Sequence, residues 1–154
     1  MSAAGAASTL IFPTMAKEAI VPNDTKKNDV NNLIKIVQNA YDNGKISESL
    51  YTTYIAEARF VRAYYYFGMV RTYGGVPIVT EPLDDKYDGG ANEGLYIPRS
   101  TEKETWDFVL SELTEVATLL PDSRTDGAYR ADKWAALGLK SRVALYAASV
   151  SKYW

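Results

Sequence analysis

The sequence has no cysteine and no histidine among its 154 residues. Their absence excludes disulfides, Cys/His zinc sites, thiol nucleophiles and every His-dependent triad within this chain. Carboxylates, Tyr, Lys and Ser remain as possible actors. Zero Cys fits oxidising and reducing surroundings alike, so it assigns no compartment. No run approaches the roughly 20 apolar residues that span a bilayer. Neither charge dominates: 17 basic side chains face 19 acidic ones, for a net charge of −2. That balance provides no broad basic field for nucleic acid or an anionic membrane.

What is present suits a globular chain. Apolar residues make up 47% and charged residues 23%, both ordinary values. A mass of 17.1 kDa allows one domain and is too small for two ordinary ones. Tyr is abundant, with 12 copies beside 3 Trp. Such side chains offer an apolar face and a polar tip, and most are expected simply to pack helices together. Residues 1–27 read as a loosely held lead-in. Its Ala-rich start lacks a basic n-region and its apolar core stops at Pro13, a poor signal peptide. Without Cys, no lipoprotein attachment site is expected in it.

Four helices are predicted. Val30, Leu33, Ile34, Val37, Ala40 and Tyr41 form one helical stripe, with Asn28 or Asp29 as cap and Asp42-Asn43-Gly44 as stop. A second helix runs from about Ser47 to Tyr73, with apolar residues spread as if packed on more than one side. Gly74-Gly75 ends it through a left-handed C′ glycine, and Val76-Pro77-Ile78-Val79 must be extended. Thr101 and Glu104 match a capping box, and Trp106, Val109, Leu110, Leu113, Val116, Ala117 and Leu120 line the third helix up to Pro121. The fourth spans about Ala131 to Val150. Trp134, Leu137, Gly138, Ser141, Leu145 and Ala148 make one face; Ala136, Leu139, Val143, Tyr146 and Val150 make another. Two apolar faces need two partners, and no fifth helix follows Tyr153-Trp154. The sequence is therefore expected to be incomplete.

Between helices two and three lies a long loop, residues 80–99, rich in Pro, Gly and acids. Loops of this length are usually functional or disordered. Counted as an EF-hand from Asp84, it has Gly89 at position 6 but Lys86 at position 3 and Leu95 at position 12, so the pattern fails. No cofactor is expected; an irregular calcium site there is outweighed by a solvated acidic loop. Phosphate-cradling glycine spacing is absent. Paired glycosidase carboxylates have nothing to fix their separation. Arg59, Arg62 and Arg71 do not share one helix face and read as separate ion pairs or helix-end contacts. Tyr64-Tyr65-Tyr66 must split between core and surface. Tyr87 and Tyr96, with Asp88 and Asn92 beside them in the loop, are the candidate sugar-binding residues: ring faces for stacking, polar groups for hydroxyls.

The stretch Ala56-Glu57-Ala58-Arg59-Phe60-Val61-Arg62-Ala63-Tyr64-Tyr65-Tyr66-Phe67, continuing through Val70-Arg71-Thr72-Tyr73-Gly74-Gly75-Val76-Pro77-Ile78-Val79-Thr80-Glu81, closely resembles the signature of SusD/RagB-type outer-membrane proteins. Further blocks follow in order. Ile97–Thr101 looks like the family's R-x-T motif, Trp106–Pro121 like its I-x-x-D-L helix with Glu112 where Asp is usual, and Lys133–Ser149 like its K-x-A-A-x-A-L-x-A-R-V helix. The resemblance covers about residues 55–150.

This resemblance implies an all-α fold of tetratricopeptide-like antiparallel helix pairs, here an incomplete one. It also implies a non-catalytic, surface-exposed outer-membrane lipoprotein. Such a protein captures oligosaccharide for a partner SusC-like TonB-dependent transporter; the charge balance separately argues against a nucleic-acid partner. The family's signal peptide and lipid-bearing Cys are not in this chain, and family members run to several hundred residues. Residues 28–154 are accordingly expected to be a partial scaffold segment. The rival readings are a helical-repeat module that docks the transporter without binding sugar, and a hydrolase.

Overall fold

A computed structural model of the chain describes residues 24–82, 97–124 and 129–153. These hold four helices: α1 (Asp24–Asp42), α2 (Glu48–Tyr73), α3 (Glu102–Leu119) and α4 (Lys133–Tyr153). No strand occurs among the described residues, so the chain is all-α as expected. The first helix starts at Asp24, ahead of the caps expected at Asn28 or Asp29. Nothing in Thr25-Lys26-Lys27 breaks a helix, and Lys is a good helix former. The apolar stripe that signals the helix begins only at Val30, which is why the lead-in looked longer.

The other ends have identifiable causes. Ser47 caps α2, its hydroxyl accepting the Leu50 N–H at 3.4 Å. Gly74 closes α2 with φ 71° and ψ −141°, its N–H bonded to the Val70 carbonyl at 2.9 Å. That conformation is open to glycine but lies outside the left-handed helical well expected for the stop. Gly75 is needed for space instead: a Cβ there would sit 2.1 Å from the Ser100 carbonyl oxygen. The capping box is present as expected. Thr101 Oγ1 accepts the Glu104 N–H at 3.2 Å, and the Glu104 carboxylate accepts the Thr101 N–H at 2.7 Å. Helix α4 has a cap that its periodicity did not reveal, the Asp132 carboxylate accepting the Ala135 N–H at 2.8 Å.

Helix α2 is central, packed on α1 and α3, while α3 also packs on α4 and α2 touches α4 more lightly. The core joins Val30 of α1, Tyr66 and Val70 of α2, Val109 and Leu113 of α3, and Val143 of α4. A smaller buried cluster of Ala56, Val116, Ala117, Leu120 and Ala136 lies beside it. Tyr64 is exposed while Tyr65 and Tyr66 are buried, the split expected of adjacent helical residues. At the α1–α2 turn Tyr41 and Tyr51 stack at 4.4 Å, and the Tyr51 hydroxyl donates to Gln38 at 2.5 Å. Of the two apolar faces of α4, one packs: Ala136 and Val143 are fully buried. On the other, Trp134 is 60% and Leu145 73% exposed.

Candidate functional site

The candidate loop is flanked by a segment whose backbone has no strand partner. Buried backbone N–H and C=O groups must nevertheless be paired, and in residues 75–81 side chains from three helices pair them. The Tyr66 hydroxyl accepts the Val79 N–H at 2.7 Å. It also lies 3.2 Å from the Val79 carbonyl and 3.3 Å from that of Pro77. Asn31 of α1 donates to the Val79 and Glu81 carbonyls at 3.0 and 3.2 Å. Arg62 donates to the Thr80 carbonyl at 3.2 Å and to Asn31 Oδ1 at 3.1 Å. Thr105 of α3 accepts the Val76 N–H at 3.3 Å. From the far side of the loop, Arg99 donates to the carbonyls of Tyr73 and Gly75. Both flanks of residues 83–96 are thus tied to one helical frame.

Two buried carboxylates organise that frame. Glu112 of α3 takes Arg62 at 2.7 Å and Arg59 at 2.7 Å, while Arg59 also reaches Glu115 at 2.5 Å. Arg59 and Arg62 are therefore not separate pairs, as their spacing suggested; one carboxylate on the neighbouring helix gathers both. Hydrogen bonding to Glu112 raises the Arg59 pKa above its ordinary value, with burial opposing and Glu115 adding to the rise. Glu57 of α2, 1% exposed, takes Arg130 at 2.6 Å together with Arg124. Arg124 in turn donates to the Ala131 carbonyl at 2.8 Å, closing the α3–α4 connection. Each carboxylate is saturated by two guanidinium groups. Glu112 ties α3 to α2, and Glu57 ties α2 to the α3–α4 connection.

The four predicted site residues, Tyr87, Asp88, Asn92 and Tyr96, lie outside the described residues, as does the Asp84–Gly89 calcium reading. Among the described residues no group of three or more acidic side chains is placed to hold a metal. No described helix is long and apolar enough to cross a membrane. A shallow groove of about 470 Å³ lies between the start of α2 and the end of α3. Its lining includes Thr52, Thr53, Leu119 and Pro121 but no aromatic ring, and both Thr hydroxyls donate to their own helix carbonyls. Sequence reasoning missed Asn31, Tyr66 and Thr105 as clamps and Glu57 as a hub. The available signal was Pro77 in an unpaired extended stretch, which demands side-chain partners.

The family described as "Starch-binding associating with outer membrane", a SusD-like family, matches residues 28–145. SusD-like protein P38 of Formosa agariphila is 35% identical over 104 residues, covering 66% of this chain and 19% of P38. A SusD-like protein of Bacteroides fragilis superposes with a TM-score of 0.58 at 35% identity, covering 82% of this chain and 25% of that one. Surface glycan-binding protein A from Bacteroides fluxus superposes at 0.64 with 26% identity, over 84% of this chain and 25% of its own. The chain thus spans about a quarter or less of these relatives. With the family model matching residues 28–145, most of its length, the chain belongs to the SusD-like family.

Proposed function

We propose that this chain is the scaffold portion of a non-catalytic glycan-binding protein at the outer face of an outer membrane. It captures oligosaccharide and passes it to a SusC-like TonB-dependent transporter without breaking bonds. The observation that carries this reading is the family match over residues 28–145. The pinned flanks of residues 83–96 support it, because a recognition loop needs a rigid base. The Bacteroides fluxus relative is itself named a surface glycan-binding protein. Tyr87 and Tyr96 supply ring faces for pyranose stacking, and Asp88 and Asn92 supply hydrogen bonds to hydroxyls.

Calorimetric titration with soluble oligosaccharides tests the proposal. Binding is expected, and it is expected to weaken in Tyr87→Ala and in Tyr96→Ala. Unchanged affinity in both variants removes the loop assignment. Co-purification with the transporter and no glycan affinity would instead make the chain a docking module. Release of reducing ends from the glycan would make it a hydrolase.

A further inference from the structure

The arginines of the described chain divide into those with oxygen partners and those without. Arg59 and Arg62 are taken by Glu112, Arg124 and Arg130 by Glu57, and Arg99 by two carbonyls. Arg71 of α2 and Arg142 of α4 have no carboxylate or carbonyl partner among the described residues, and both are exposed. Arg71 is nonetheless held. Its guanidinium carbon lies 5.6 Å from the Phe67 ring centre and 6.0 Å from that of Tyr146. Those two rings meet edge to face at 5.5 Å, where α2 touches α4. Ring contacts orient a guanidinium but leave its in-plane N–H donors unused.

Around Arg71 the described surface of α2 and α4 is aromatic and notched. Tyr64 lies on the same side of α2 two turns earlier and is 46% exposed, while Tyr146 is 41% exposed. Gly68 falls between Tyr64 and Arg71, with nothing within 4 Å of where a side chain would begin. Arg142 precedes Tyr146 by one turn on α4. Helix α2 carries no acid after Glu57, and α4 carries none. Glu102, beyond the end of α2, accepts the Trp106 indole N–H at 3.2 Å.

We infer that this α2–α4 seam is a subsite for the uronic acid residues of an acidic oligosaccharide. Arg71 pairs the sugar carboxylate, and Tyr64 and Tyr146 offer ring faces to the pyranose. The inference rests on the glycan-binding reading and narrows its ligand class. A carboxylate matches the planar donor fork, and a sugar's C–H face matches an exposed phenol ring. Arg142 adds a second cation for an adjacent uronate along the seam.

Calorimetric titration of the 154-residue chain with an oligogalacturonate and a maltooligosaccharide of equal length tests it. The oligogalacturonate is expected to bind more tightly, with affinity falling as salt rises. Arg71→Gln is expected to weaken that binding about ten- to a hundredfold while leaving the maltooligosaccharide unchanged. Arg71→Lys recovers part, because an ammonium lacks the fork. Should Arg71→Gln lose its fold, Tyr64→Ala and Arg142→Gln read the same surface. Equal affinity for the two sugars, or oligogalacturonate binding indifferent to these substitutions, overturns the subsite. If the maltooligosaccharide binds through Tyr87 and Tyr96 while the oligogalacturonate does not, the subsite falls and the glycan reading stands. If neither sugar binds, both fall.

Discussion

The Arg62 guanidinium meets the Glu112 carboxylate through two hydrogen bonds, 2.7 Å from Nη2 and 3.1 Å from Nε, at a point where each side chain is 8% exposed. Truncating one partner of such a pair leaves the other charge buried without compensation. Glu112→Gln strands Arg62 and part of Arg59 together. A loss of about 3–5 kcal/mol in urea unfolding is expected. The double variant Arg62→Met/Glu112→Leu is expected to lose less than Glu112→Gln alone. Equal or greater loss in the double variant would show that the pair, together with the Arg62 bonds to Asn31 and Thr80, contributes net stability.

Glu57 holds the α3–α4 connection through Arg124 and Arg130, and Arg130 also sits 5.6 Å from the Tyr54 ring. Glu57→Gln is expected to speed amide hydrogen exchange in residues 122–124 and 129–132 ahead of the α3 interior. Uniform acceleration along the chain would mean that Glu57 acts on global stability alone.

Two glycines are expected to respond in opposite directions. Gly75→Ala drives a methyl into the Ser100 carbonyl and the Thr101 backbone carbon, 2.1 and 2.6 Å away. Backbone must move, at a cost of about 1–3 kcal/mol. Gly138 of α4 has nothing within 4 Å, so Gly138→Ala is expected to stabilise by up to about 1 kcal/mol through helix propensity. Thermal midpoints of the two variants against the parent decide both.

The capping box titrates. The backbone N–H of Thr101, then its hydroxyl, hold the Glu104 carboxyl below its ordinary pKa. A folded pKa lower than the unfolded one contributes stability that is present above the unfolded value and lost as pH falls through the folded value. The difference in thermal midpoint between the parent and Glu104→Ala is therefore expected at neutral pH. It should shrink as the solution is taken down through and below the usual glutamate range. A difference independent of pH would remove the charge from the explanation.

Leu113 of α3 and Leu145 of α4 are the same residue type in opposite settings, 0% and 73% exposed. Leu113→Ala is expected to cost about 2–5 kcal/mol, and Leu145→Ala less than about 0.5 kcal/mol. Comparable losses in chemical denaturation would place Leu145 in a packed interface of the folded chain.

Much of this fold follows from local pattern. The third helix was legible almost to the residue, because Thr101 and Glu104 cap it and an apolar stripe from Trp106 to Leu120 runs unbroken to Pro121. The end of α2 at Gly74 and the split among Tyr64, Tyr65 and Tyr66 also follow from local pattern, whereas the need for glycine at 75 comes from the approach of Ser100. The family signature from Ala56 to Glu81 added what periodicity lacks, an order of elements and an expected role. The start of α1 was misplaced because periodicity marks where burial begins, not where the backbone becomes helical.

By itself the sequence determined that the chain forms amphipathic helices, where three of them stop and to which family they belong. Caps, glycines and apolar spacing act within a few residues of one another. Only the tertiary structure decided that Glu112 gathers two arginines from α2, that Glu57 closes a connection more than sixty residues away, and that Asn31, Arg62 and Tyr66 bind the segment beside the loop. It likewise decided which face of α4 is core. Ion pairs and buried hydrogen bonds join side chains far apart in sequence, and no local spacing records which partners folding will bring within 3 Å.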